Sequence, residues 1–216
     1  MKHLIWVTLL GASACLPACK SSEPPSTTTS AVQPATTPQP APAAAKATDP
    51  ASVATLALDP AASQFDFEAA KITRTHKGAF KRFGGSATLI GDDLQSIAVE
   101  VETPSLEADD PKLAAHIKTA DFLDVEKFPK ATFKSQSIQK KPAGTATHEV
   151  TGALTLHGIT QEVTFPATVN VTPTNVTADG TIRIDRQKFG VKYPGMPDDL
   201  IKDEVVLQPK LAFTRK

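Results

Sequence analysis

From about Thr55 onward, apolar residues recur at every second position, which puts them on one face of an extended strand and their polar neighbours on the other. Phe65 and Phe67 alternate with Asp66 and Glu68, and Ile97, Val99 and Val101 alternate with Ala98, Glu100 and Glu102. Val150, Gly152, Leu154 and Leu156 share one face, as do Val163, Phe165, Ala167 and Val169, then Gly180, Ile182 and Ile184, and finally Val205, Leu207, Leu211 and Phe213. Turn-forming clusters separate these runs: Gly84-Gly85, Gly91-Asp92-Asp93, Lys141-Pro142-Ala143-Gly144, His157-Gly158 and Pro173-Thr174-Asn175. Asp179-Gly180 reads either as a further turn or as a bend inside a strand. The pattern predicts an all-β fold of about eight strands, with Gly78 to Ile90 supplying one or two of them. A single helix is expected where Asp109-Asp110 forms an acidic cap and Pro111 opens the first turn, running through Leu113, Ala114, Ile117 and Ala120. A sandwich and a closed barrel both fit. A barrel has no unpaired edges, and at about eight strands its interior either fills with side chains or holds one small ligand.

Ahead of the strands the pattern changes twice. Met1-Lys2-His3 is a short basic start, followed by an apolar run from Leu4 to Leu10 and then small residues around Cys15 and Cys19. That order is a secretory signal, and the run falls far short of the roughly 20 residues a membrane-crossing helix requires. Leu16-Pro17-Ala18-Cys19 resembles a bacterial lipobox. Residues 1–18 would then be a lipoprotein signal peptide and Cys19 the lipidated N-terminus, with Cys15 behind Ala12-Ser13-Ala14 as the alternative. The competing reading is an ordinary cleaved leader whose cysteines are incidental or form a disulfide. Both cysteines precede Lys20, so neither a disulfide framework nor a thiolate metal site holds the strands together. Residues 19–54 are mostly Ser, Thr, Pro, Ala and Gln, too poor in large apolar side chains to offset the entropy of ordering. They read as a disordered linker that, extended at ~3.1 Å per residue, reaches on the order of 100 Å. Residues 55–216 form the one domain.

Charge narrows the partners. The 23 basic and 23 acidic residues balance, and no basic patch with interleaved aromatics exerts a pull on nucleic acid.

His116-Ile117-Lys118-Thr119-Ala120-Asp121-Phe122-Leu123-Asp124-Val125-Glu126-Lys127-Phe128-Pro129, continuing through Thr132-Phe133, resembles the YceI family pattern of a helix ending in S-A-D-F-F-D-V, then E-K-Y-P and a strand with T-F. The stretch from Val150 to Thr160 resembles the family's V-T-G-x-L-T-I-H-G-V-T, and Ile184 to Gly190 its I-N-R-x-D-F-G. Leu58-Asp59-Pro60 with Ser63 to Phe67 match the opening strand, Gly78-Ala79-Phe80 matches G-x-F, and Asp203-Glu204-Val205 matches D-E-V. The resemblance covers most of residues 55–216. It implies a lipocalin-like antiparallel barrel, here of about eight strands, whose lumen takes a long polyisoprenoid, a prenyl quinone or prenyl phosphate, in the bacterial periplasm. Three departures bear on the ligand: Asp185 stands where asparagine is common, Ala69-Ala70-Lys71 replaces a larger V-K-H segment, and the loop at Pro194-Gly195-Met196-Pro197 lacks the usual aromatic.

The candidate lumen residues, each on an apolar strand face, are Phe65, Phe67, Phe80, Phe133, Leu154, Leu156, Phe165, Ile182, Ile184 and Leu207. The bland alternative is that they pack a solid core. Catalysis and metal binding are not expected, because the chain has no His-x-His, no His-Glu-x-x-His and no nucleophile elbow. His157 is expected to brace a turn and His116 to cap or pack, while Asp121, Asp124 and Glu126 satisfy backbone donors where helix gives way to strand. Arg186, Lys188 and Lys192 are candidates to meet a pyrophosphate head, against the commoner role of solvated cations. No cofactor is expected beyond a bound isoprenoid lipid. The expected partners are that lipid or another apolar lipid, a membrane reached through the N-terminal anchor and, as an open option, a second copy in a homodimer. Lys20 after the cysteine resembles outer-membrane sorting, so the expected location is the bacterial cell envelope, with the chain lipid-anchored to the outer membrane and facing the periplasm. Two other functions compete: sequestration of another amphiphile such as a fatty acid or amide, and a structural envelope lipoprotein with a filled barrel.

Overall fold

The computed structural model describes residues 52–215. The expected signal peptide with Cys15 and Cys19, and nearly all of the expected linker, lie outside the described residues. The strands are β1 (Val53–Leu58), β2 (Gln64–Lys71), β3 (Thr75–Phe80), β4 (Phe83–Ile90), β5 (Asp93–Glu102), β6 (Leu106–Ala108), β7 (Lys130–Ala143), β8 (Ala146–Leu156), β9 (Ile159–Val171), β10 (Asn175–Gly180), β11 (Ile182–Asp185), β12 (Gly195–Met196) and β13 (Asp199–Thr214). One helix, α1, spans Pro111–Ile117.

Every pairing is antiparallel, and the order β1-β4-β5-β7-β8-β9-β10-β13 returns to β1 through Ala57 opposite Thr214 and Leu58 opposite Phe213. Eight staves therefore close into a barrel, the one of the two architectures compatible with the alternation that joins the first and last staves. Several staves are jointed. β2 extends β1 along β13 past a 3-10 turn at Pro60–Ala62, where the Asp59 carboxylate accepts from the Ala61 N–H at 2.9 Å. β3 and β4 meet at Lys81-Arg82, β5 and β6 at Thr103–Ser105, and β10 and β11 at Thr181.

Two of the expected turns lie elsewhere. Gly84-Gly85 sits inside β4, where a Cβ on Gly85 would stand 2.2 Å from the Ala98 carbonyl oxygen, so this glycine permits close strand approach and makes no turn. Lys141-Pro142-Ala143 extends β7, and the reversal falls at Gly144-Thr145, with Gly144 at φ +61°. Asp179-Gly180 lies in β10, at the joint with β11. The helix has its Asp110 cap, accepting from the Lys112 N–H at 2.8 Å, but it stops at Ile117 and excludes Ala120. There the Thr119 hydroxyl donates to the His116 carbonyl, and the Leu123 and Val125 N–H groups bond back to the Ile117 and Lys118 carbonyls, turning the chain away from the helix axis.

The two ends of the barrel differ. At one end Leu56, Ala87, Leu89, Val150, Val176 and Phe213 expose no more than 1% of their surface and pack solidly. At the other, β6 pairs with β3 alone among the described residues, and residues 109–129, including α1, cover the space beyond it.

Candidate functional site

Behind that covering segment lies an apolar cavity of about 160 Å³. Phe65, Phe67 and Phe80 form one wall, with ring centroids 5.8 Å apart for Phe65–Phe80 and for Phe67–Phe80. Phe67 can lie flat against β3 because its register partner is Gly78, whose missing Cβ would stand 2.5 Å from the ring. Phe133, Leu154, Leu156, Ile184 and Leu207 contribute from β7, β8, β11 and β13. Eight of the ten residues singled out in the sequence thus line this cavity. Phe165 and Ile182 line a second, smaller one of about 30 Å³ toward the packed end.

The sequence reading missed the cover. Leu113 and Ile117 of α1, with Phe122 and Leu123 after it, close the cavity from outside the barrel. The i, i+4 spacing of Leu113 and Ile117 is visible in the sequence, but the surface they cover is not. Val99, Val101 and Leu106 also line it. The first two sit on the alternating face of β5, which carried the signal needed to find them.

Few polar side chains reach this space. Lys71 donates to Asp199 at 2.7 Å, a bond that holds the Asp199 carboxyl below the usual carboxylate range, helped by donation from the Thr73 hydroxyl at 2.9 Å. His76 points inward from β3, and its Nδ1 lies 3.0 Å from Asp109, whose carboxyl this hydrogen bond holds low. An ionised carboxylate only accepts, so Nδ1 carries the proton and Nε2 is the atom left free of that pairing.

Arg186 borders the cavity but is buried and has no donor left for a head group. Its five N–H donors are all spent, on the carbonyls of Lys202, Val191, Tyr193 and Ile201 and on the Asp203 carboxylate, at 2.8 to 3.2 Å. Lys188 and Lys192 are exposed and do not line the cavity. His157 braces a turn as expected: with φ +51° beside Gly158 at +74°, it forms the two-residue reversal between β8 and β9, and its Nδ1–H donates to the Phe189 carbonyl at 3.1 Å. His116 packs edge-on against Phe122 and Tyr193, with ring centroids at 5.0 and 5.1 Å. Asp121 accepts from His116 Nε2 at 2.9 Å and takes no backbone donor, and the carboxylates of Asp124 and Glu126 hold none among the described residues; carbonyls of this segment take the turn's N–H groups instead. Among the described residues no cluster of three or more His, Cys, Asp or Glu is placed to hold a metal.

Comparison with known proteins agrees with this architecture. A family model described as a YceI-like domain matches residues 56–213. A UPF0312 protein of Pseudomonas putida (strain W619) is 38% identical over 126 residues, covering 55% of this chain and 65% of that protein. The chain thus spans a little under two thirds of the length of that curated relative. A UPF0312 protein of Pseudomonas fluorescens (strain SBW25) is 34% identical over 141 residues, 61% of this chain and 71% of that one. Among solved structures, BcnA of Burkholderia cenocepacia superposes with a TM-score of 0.62 at 28% identity, covering 72% of this chain and 98% of BcnA. A polyisoprenoid binding domain from Saccharophagus degradans, implicated in plant cell wall breakdown, shares the fold with a TM-score of 0.59 at 13% identity, covering 76% of this chain and all of that domain.

Proposed function

The chain belongs to the YceI-like family, and from that premise we propose that it binds a long isoprenoid lipid, a prenyl quinone or prenyl phosphate, in the cavity under α1, and that it carries or stores this lipid without reacting on it. The observation that carries the reading is an apolar void of about 160 Å³ retained inside a barrel whose other end is packed solid. Packing normally eliminates such a void, because lining atoms lose dispersion contacts across it. The polyisoprenoid binding domain with the same fold supplies the ligand class.

Size sets how binding proceeds. An apolar void of roughly 150 Å³ stays dry and takes up a benzene-sized group, so the cavity in its present form receives the end of a chain. The rest follows if the cover yields, and α1 has no buried residue to hold it down. Exposed Ile72 and Leu200, joined by the Ile72 N–H to Leu200 carbonyl bond, flank the cavity-lining Lys71 and Ile201 and offer a greasy rim to a lipid surface. Burying each methylene is worth about 0.8 kcal/mol against water, but a lipid leaving a bilayer for this cavity exchanges one hydrocarbon setting for another. Transfer in both directions is then close to neutral, which suits a carrier. We place this carrier on the periplasmic side of the bacterial envelope, anchored through Cys19 or Cys15, on the basic, apolar and small-residue order of the chain's start.

The modest volume also favours a second reading, a shorter amphiphile such as a fatty acid or its amide. Native mass spectrometry of the protein taken from a bacterial membrane extract tests both. A co-purified prenyl quinone or prenyl phosphate supports the first, and a fatty acid or amide transfers the case to the second. An empty protein that also shows no saturable binding of an apolar dye overturns both in favour of a structural barrel.

A further inference from the structure

The lumen is not one space. The cavity of about 160 Å³ under α1 and the cavity of about 30 Å³ nearer the packed end are lined by different residues, except that Val99 and Phe133, register partners on β5 and β7, border both. Val99 is a short wall residue. Phe133 is the large side chain at the boundary, and it is only half-buried although it points into the barrel.

Its position is held by two features. On one side the ring lies across Gly152 of β8, where a Cβ would stand 2.6 Å from the ring carbons, so the absence of that side chain gives the ring its seat. On the other side it meets Phe165 of β9, with centroids 5.6 Å apart and planes tilted by 60°. Phe165 in turn lies over Gly180 of β10, with the missing Cβ 3.0 Å from its ring edge. Two aromatic rings, each seated on a glycine of the next strand, thus stand between the larger chamber under α1 and a small blind one.

We propose that Phe133 is the floor of the lipid cavity and sets the length of apolar chain the barrel accepts. This rests on the lipid-binding reading and extends it to chain-length selection among prenyl or alkyl chains. A chain entering past α1 runs down the aromatic wall until its end meets the Phe133 ring. Removing the ring joins the two spaces and lets the end go deeper.

The test is a series of n-alkanols from octanol to hexadecanol, competed against the dye N-phenyl-1-naphthylamine on the whole protein and on its Phe133→Leu and Phe133→Ala variants. In the parent protein, affinity rises about fourfold per methylene, the Boltzmann equivalent of ~0.8 kcal/mol, up to a break where the chain end reaches the floor. Both variants move that break to longer chains by at least two carbons, and Phe133→Leu alone decides the matter where the alanine variant does not fold. Phe80→Leu, which widens only the upper chamber, changes affinity for all lengths and leaves the break in place. An unmoved break in the Phe133 variants, with ordinary binding otherwise, overturns the floor and spares the lipid-binding reading. Absence of any alkanol or dye binding to the parent protein overturns both.

Discussion

Arg186 shows how a motif residue acts through saturation. Four carbonyls from the loop after Phe189 and from the start of β13 converge on one planar guanidinium, with Asp203 completing the set. A lysine offers three donors on a compact ammonium and cannot reproduce the fork. Arg186→Lys is therefore expected to lower stability by at least ~3 kcal/mol, through buried carbonyls left without donors. In a domain of this size that is a fall of roughly 10 °C in melting temperature. A calorimetric shift under 2 °C would show that the clamp is dispensable. His157 gives a second test, because it carries both a left-handed backbone and a donor to the Phe189 carbonyl. His157→Ala should cost about 1–2 kcal/mol, and His157→Asn, which tolerates positive φ, less than half of that. Equal losses in urea melts would mean that the backbone conformation does not matter.

Among the elements, α1 is the least secured. It is 7 residues long, it buries no side chain fully, and its N-terminus is held by one carboxylate, Asp110. Helices this short are unstable in isolation and depend on packing and caps. Asp110→Ala is expected to weaken the helix by about 1 kcal/mol, read as faster amide exchange from Ala114 to Ile117 with the strands unchanged. If the helix is the cover through which a lipid passes, the same variant also releases bound dye faster. Exchange rates that stay at the parent value would show that Leu113 and Ile117, packed on the cavity, hold the helix without its cap.

Most ion pairs among the described residues join exposed side chains, while His76 and Arg186 hold theirs from buried positions, and the direction of the pKa shifts fixes the response to acid. Asp93, Asp109 and Asp199 are held below the ordinary value of 3.8 by hydrogen bonds from Lys140, His76 and Lys71. A depressed carboxyl pKa stabilises the fold above 3.8, and this contribution is lost as pH falls through the lower folded-state values. His148 is also depressed from 6.5, by desolvation first and by Lys140 second. For this base the unfolded chain takes up the proton more readily, so stability is full above 6.5 and declines as pH falls below it. The melting temperature should therefore hold steady between pH 7 and about 9, dip gently below 6.5 and fall more steeply below about 4. His148→Gln should remove the first dip and leave the second. A dip unchanged in that variant would assign it to another group.

The recurrence of Phe65 and Phe67, of Val99 and Val101 and of Leu154 and Leu156 at every second position fixed the strands and their inward faces without any tertiary knowledge, because a period of two puts them all on one side. The Asp110-Pro111 start and the His157-Gly158 reversal were equally legible, since cap and turn chemistry is local. The fate of Arg186 was not, because its partners lie as far along the chain as Asp203 and a free cation and a saturated one share the same letter. Nor did the pattern show that Gly84-Gly85 lies within a strand, since a turn and a close strand approach both call for glycine. Ring closure, the solid end opposite the hollow one, and the division of the lumen at Phe133 depend on which strands meet across space. Only the folded arrangement decides those, because a side chain's inward direction is set by its neighbours in sequence, whereas the room it finds there is set by residues from the far side of the barrel.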